Sequence, residues 1–211
     1  IGDVLAGVVA ETEEQARLAA AEIRVEYEIL QPIIDPEEAI KDNSPKVHKH
    51  SSNLLETCKL YKGNPDQALS AAAYSFSGSF TTQRIEHAFL ETESALALWE
   101  DDGIILYSGG QGIYEDRRQV ARVLSLTEDK VRVILVPNGG GFGGKEDLSV
   151  QGHAALFAYH LKKPVKVTLN RDESIRFHPK RHPVRFNITL ACDKMGKLTA
   201  MRMRAIGDTG A

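Results

Sequence analysis

The sequence predicts a mixed α+β fold in two domains. Runs of β-branched and alternating residues interleave with runs at helical spacing, and a polar stretch without periodicity, residues 43–53, divides the chain. Five glycines also fall within residues 139–144, directly after a strand-like run.

The elements follow in order. Residues 4–10 are apolar and β-branched, the pattern of a buried strand. Thr12 and Gln15 sit at capping-box spacing, and Ala16, Ala19, Ala20 and Ile23 follow at helical spacing. Residues 24–29 alternate charged and apolar side chains, so residues 1–30 are expected to form a strand–helix–strand unit. Asp35-Pro36 marks a helix start, and residues 66–73 suit a short helix. Residues 74–80 alternate as a strand. Residues 95–100 and 104–107 bracket Asp101-Asp102-Gly103, a hairpin signal. A helix is expected over 115–124, a strand over 131–136, and a helix over 146–161 with Leu148, Ala155, Leu156 and Tyr159 facing inward. Strands are expected over 165–169, 184–190 and 198–206, with a turn at 194–197 before the last.

Composition narrows the function. With 42% hydrophobic and 26% charged residues the chain has an ordinary globular make-up. A net charge of −3 gives no general attraction to nucleic acid or to an anionic membrane, and no apolar run is long enough to span a bilayer. Cys58 and Cys192 are far apart, whereas a zinc site or an iron–sulfur cluster needs several thiolates at close spacing. A reduced, cytoplasmic pair is expected, with a single bridge left open. The chain begins directly ahead of one strand-like run and stops at Gly210-Ala211 directly after another, so both ends are expected to be cuts inside a longer polypeptide.

The segment Asn138-Gly139-Gly140-Gly141-Phe142-Gly143-Gly144-Lys145-Glu146 is expected to join strand to helix, where glycines let the backbone approach a ligand and a helix start offers free N–H groups. A plain tight turn is the competing reading. Gly139, Gly141 and Gly144 fit a dinucleotide fingerprint, but the strand expected next ends at Asn170-Arg171 without the acidic residue that would hold a ribose. Gly139, Gly144 and Lys145 fit a phosphate loop up to its last position, where Glu146 replaces the hydroxyl residue that binds Mg²⁺. A nucleotide-binding module using the Gly139 to Lys145 loop remains the alternative function.

Taken together, these residues resemble the molybdopterin-binding region of the molybdenum hydroxylases, the xanthine dehydrogenase and aldehyde oxidase family. Residues 139–146 resemble its glycine signature. Gln83-x-x-Glu86-His87-x-x-Leu90-Glu91 resembles the entry strand, Ser108 to Gly112 the first cofactor-contact loop, and Arg171-Asp172-Glu173 with Arg181-His182-Pro183 a later pattern. Residues 146–151 and 178–183 resemble most the selenium-dependent purine hydroxylases. The resemblance implies the end of an α/β hammerhead domain over 1–42, a linker over 43–72, and the first part of a mixed α/β molybdopterin-binding domain over 73–211. It implies a molybdenum–molybdopterin cofactor, FAD and [2Fe-2S] clusters on other domains or subunits, and a selenium ligand in the narrower branch. The implied reaction is hydroxylation of a purine, related heterocycle or aldehyde with water as oxygen source.

Carried onto this sequence, Gln111 matches the glutamine that hydrogen-bonds an oxygen ligand of the metal, and Phe142 the residue whose backbone lies beside the metal. Gly141 and Gly143 flank it in the cofactor-binding loop, with Gly143 allowing close approach. Glu146 matches the carboxylate that polarises a purine substrate, a role in which burial would raise its pKa. The catalytic base glutamate of the family has no counterpart in the 211 residues. Each match has a plainer reading: Gln111 as a cap of the following helix, Phe142 as a core aromatic, Glu146 as an acid favoured by a helix start. Glu86, His87 and Glu91 could be taken for an acid–base set, but in the family pattern they read as structural. His178 and His182 are separated by prolines that disfavour a shared helical face. Lys145, Lys162 and Lys163 read as a solvated face. Alone, the chain is expected to bind little cofactor, to lack hydroxylase activity and to self-associate through apolar surface left uncovered.

Overall fold

A computed structural model describes residues 2–209; Ile1 and Gly210-Ala211, the chain ends noted above, lie outside the described residues. The described residues divide into two compact units, one within 1–25 and 86–181, the other within 26–85 and 182–211.

The first unit carries α1 (Glu13–Ala21), β2 (Ser94–Glu100), β3 (Gly103–Ser108), α4 (Ile113–Leu124), β4 (Val131–Leu135), α5 (Val150–Leu161), β5 (Val165–Thr168) and α6 (Arg171–Phe177). Its sheet runs in the order β4-β3-β2-β5. The β2–β3 hairpin is antiparallel and turns at Asp101 and Asp102, both left-handed, as a tight two-residue turn requires. Strand β4 returns parallel to β3 through the crossover helix α4. Small residues let helix and sheet approach: Ala154, Ala155 and Ala158 of α5 share a core with Ala95, Ala97, Ile104, Leu106 and Val120.

The second unit holds α2 (Pro36–Ala39), α3 (Pro65–Ser70) and an antiparallel sheet of β1 (Tyr74–Thr81), β6 (Val184–Cys192) and β7 (Leu198–Gly207) in the order β1-β6-β7. Asp35 caps α2, accepting from the N–H groups of Glu37 and Glu38, and its carboxylate pairs with Arg185 at 2.6 Å. Helix α3, inside the stretch expected as a linker, packs on β7. Many apolar residues of this unit stay exposed, among them Tyr74, Phe76, Met201 and Met203.

Most expected elements are present, and three differ. Residues 4–10 and 24–29 form no strand: an apolar or alternating pattern specifies which side chains seek cover, but a strand exists only through hydrogen bonds to a neighbour, and none pairs with these segments among the described residues. Thr12 nevertheless caps α1 through the Gln15 N–H as the spacing predicts. Helix α5 begins at Val150, not near Glu146, because residues 142–145 form turns and 146–147 bend before it. Helix α6 has no counterpart among the expected elements, although Asn170 and Glu173 form a full capping box at its start. Cys58 and Cys192 are both unpaired. Among the described residues no helix is long and apolar enough to cross a membrane.

Candidate cofactor loop

The glycine cluster follows β4 as an irregular loop held on three sides by side chains from distant parts of the first unit. From the end of β3, Gln111 turns its carboxamide into the loop. Its Oε1 accepts from the N–H of Gly143 at 3.1 Å and of Lys145 at 3.2 Å, and its own backbone N–H donates to the Lys145 carbonyl at 2.7 Å. Gln111 therefore does not cap α4, whose N-cap is Gly112 without a side-chain bond. Gln111 is exposed, and with Oε1 engaged its Nε2 is the end left to donate.

A second side is the segment ahead of β2. Glu91 Oε2 accepts from the Gly139 N–H at 2.7 Å and pairs with Lys145 Nζ at 3.3 Å. The Gly139 bond, with help from Lys145 and against partial burial, holds the Glu91 carboxyl below its ordinary pKa. Lys145 is only 6% exposed, its ammonium 4.6 Å from the centre of the buried Phe89 ring. It is a buried member of the loop's support, not part of a solvated face. Lys162 and Lys163 stay exposed, Lys162 with its ammonium over the Trp99 ring. Arg171 ties the supporting segment down by donating to the carbonyls of Phe89 at 2.6 Å and Leu90 at 2.7 Å.

On the third side, His178 reaches the Gly144 carbonyl with Nε2 at 2.6 Å. A Cβ on Gly144 would come 2.6 Å from the His178 ring and 3.0 Å from the His87 ring, so only glycine fits there. Nothing local in the sequence points Glu91 or Arg171 to a target; the bonds they make span 48 to 82 residues, and only their family-like spacing hints at a shared task.

The loop's own conformation fits a cofactor contacted through backbone. Gly141 is buried and has no space for a side chain, since a Cβ would lie 2.3 Å from Gln111 Oε1. Phe142 and Gly143 form the exposed edge. Both have left-handed φ, the Phe142 ring is 75% exposed, and nothing lies within 4 Å of where a Gly143 side chain would begin. Phe142 is thus no core aromatic. The N–H groups of Gly140, Gly141 and Phe142 have no acceptor among the described residues. Unpaired, closely spaced N–H groups leading to an exposed edge suit an anionic, oxygen-rich group. Glu146 is exposed and lies four residues ahead of α5, so neither burial nor a helix start acts on it here. The phosphate-loop alternative fits poorly: Lys145 is turned inward onto Glu91, and the loop does not open directly into a helix.

Behind Lys145 lies a cleft of about 220 Å³ lined by Glu91, Glu93, Ser149 and Gln151 among others. From its lining, Gln151 Nε2 donates at 3.2 Å to the buried Ser108 Oγ, which in turn donates to Asp116 Oδ2 at 2.9 Å. Burial pushes the Asp116 carboxyl above its ordinary pKa, against the Ser108 bond.

Comparison with known proteins gives the family and the fold. Residues 47–211 match the molybdopterin cofactor-binding domain family. The whole chain is 38% identical to a probable xanthine dehydrogenase subunit from Bacillus subtilis (strain 168), covering 28% of that protein. It is 37% identical to the nicotinate dehydrogenase large molybdopterin subunit of Eubacterium barkeri, covering 49% of it. The chain thus spans half or less of the length of these relatives. Quinoline 2-oxidoreductase from Pseudomonas putida 86 superposes with a TM-score of 0.85 at 25% identity, over 93% of this chain and 25% of that one. An aldehyde oxidoreductase from Desulfovibrio gigas shares the fold, with a TM-score of 0.86 at 24% identity over 94% of this chain and 22% of that one.

Proposed function

The chain belongs to the molybdenum hydroxylase family through its molybdopterin cofactor-binding domain, and from that premise we propose that it supplies one wall of the cofactor site in an oxidoreductase. The proposed reaction hydroxylates an electron-poor carbon of an N-heterocycle, a purine such as xanthine or hypoxanthine first, with water as the oxygen source. The observation that carries this reading is the exposed backbone of Phe142 and Gly143, pinned from behind by Gln111. When bound, the molybdopterin cofactor supplies the electron-accepting metal centre.

The chain's residues have separate tasks. Gln111 fixes the loop with Oε1, and its free Nε2 would be a neutral donor to the bound cofactor. Phe142 and Gly143 present backbone where a side chain on residue 143 would exclude the cofactor, and Gly141 leaves room for the Gln111 carboxamide. Glu91 and Lys145 lock the loop's two ends together. Glu146 keeps its carboxylate exposed, where its oxygens can accept a hydrogen bond from a ring N–H of the substrate. The proposed order is hammerhead end, linker and molybdopterin domain over 1–42, 43–72 and 73–211. FAD and [2Fe-2S] clusters belong to other domains or subunits, the location is the cytoplasm, and the uncovered apolar face of β1 and β7 supports association with further chain. The chain by itself is expected to be inactive, because the base glutamate is not among its residues.

Elemental analysis of the full-length protein for molybdenum and selenium, with a xanthine-to-urate assay in ¹⁸O-labelled water, tests the reading. Molybdenum together with labelled urate supports it, and selenium adds the narrower branch. Molybdenum without urate replaces the purine with another heterocycle or an aldehyde. No molybdenum and no pterin, from a host that loads a control hydroxylase, overturns it.

A further inference from the structure

His178 is 3% exposed, and each of its ring nitrogens faces a single oxygen. Nε2 lies 2.6 Å from the Gly144 carbonyl, which can only accept, so Nε2 carries the hydrogen. Nδ1 lies 3.2 Å from Glu86 Oε1. Glu86 is fixed in turn: Oε1 accepts from the Ala88 N–H at 3.2 Å, and Oε2 is 2.7 Å from Lys180 Nζ. Lys180 donates to the carbonyls of Ile175 and His178, closing the cluster at the end of α6. Burial opposes ionisation of Glu86, but Lys180, Ala88 and His178 outweigh it and hold the carboxyl below its ordinary pKa. The rings of His87 and Phe89 meet the His178 ring edge-on at 4.9 and 5.2 Å and fix its plane.

We infer that His178 is a positioning residue for the cofactor loop: its Nε2–H clamps the Gly144 carbonyl and so sets the backbone of residues 142–145, while the His87 and Phe89 rings hold the His178 ring in place. Two independent contacts then fix the loop at and just after the exposed Phe142–Gly143 edge, Gln111 on the N–H groups of Gly143 and Lys145 and His178 on the carbonyl between them. The loop can approach His178 this closely only because residue 144 lacks a Cβ. Glu86, His87 and His178 also bring a carboxylate oxygen and two imidazole nitrogens within 4.8 Å of one another, a donor set that suits a divalent metal. The Glu86 carboxylate is already committed to Lys180 and Ala88, which favours the clamp.

The inference rests on the reading that the loop seats the molybdopterin, and its test separates the two. Three variants of the full-length protein are made: His178→Gln, whose amide can reach the Nε2 position, His178→Asn, whose amide reaches only the Nδ1 position, and His178→Leu, which fills the space without a donor. In cofactor-free protein, amide exchange over residues 141–145 is expected to stay native-like with Gln and to quicken about tenfold with Asn and Leu, the scale of one lost buried hydrogen bond. Molybdenum and pterin per chain are expected to follow the same order. Equal exchange in all three variants overturns the clamp. A stoichiometric divalent cation that disappears in His178→Gln also overturns it and assigns the cluster to a metal instead. A wild-type protein without molybdopterin defeats the functional reading alone, since the exchange measurement still reports on His178.

Discussion

Gly141→Ala isolates the contact between Gln111 and the glycine loop. The added methyl would lie 2.3 Å from Gln111 Oε1 and 2.7 Å from its Cδ, so the carboxamide must swing away and release the N–H groups of Gly143 and Lys145. Gly141 does not have the left-handed φ of its neighbours, so alanine adds no backbone strain of that kind. Two net hydrogen bonds at about 0.5–1.5 kcal/mol each would give about 1–3 kcal/mol. Gln111 is exposed and water can replace part of what is lost, which favours the lower half, about 1–2 kcal/mol. At about 1.4 kcal/mol per decade this is roughly a 5- to 30-fold loss of cofactor affinity. The assay is a double-mutant cycle in the full-length protein, reading molybdopterin per chain under limiting cofactor for the wild type, Gly141→Ala, Gln111→Ala and the pair. Once Gln111 is cut back to alanine the clash is gone, so the double variant is expected to match Gln111→Ala within about 0.5 kcal/mol. Strictly additive losses would refute the reasoning, because they would mean that Gly141 is needed for something other than room for the carboxamide.

Lys145→Met keeps the buried stem but leaves Glu91 with one partner fewer; because Glu91 is half exposed, a loss of about 1 kcal/mol is expected in urea denaturation, partly recovered by adding Glu91→Gln. The Glu91 carboxyl is held below its ordinary pKa, so its contribution is present above the unfolded-state pKa and is lost as pH falls through the folded value; an acid titration of Glu91→Gln should lack that component. Asp116 has the opposite sign: its raised folded pKa favours the protonated form, and stability falls as pH rises through that value. Asp116→Asn is therefore expected to stabilise at neutral pH and to lose the advantage below the unfolded carboxylate range, as followed by melting temperature against pH. Asp101→Asn with Asp102→Gly suits the left-handed turn, φ 47° and 58°, and is expected to add about 0.5–1 kcal/mol in equilibrium unfolding.

The sequence by itself determined the local features, because their causes lie within a few residues. Thr12, Asp35 and the Asp101-Asp102-Gly103 turn act on backbone no more than three positions away, and each behaves as its chemistry predicts. The family and its glycine loop were likewise legible, since close backbone approach demands glycine wherever it occurs. Only the tertiary structure decided what requires a partner. Residues 4–10 carry a strand's pattern without a neighbour to complete the ladder. Lys145 reads from sequence as one more surface lysine, yet it is buried because Glu91, 54 residues away, meets its charge beside the Phe89 ring. Gln111, next to a helix start, takes hydrogen bonds from a loop more than thirty residues on, rather than from its own helix. Spacing along a chain records which residues can act together locally; which long-range pair forms depends on burial and electrostatics that exist only once the sheet and helices have packed.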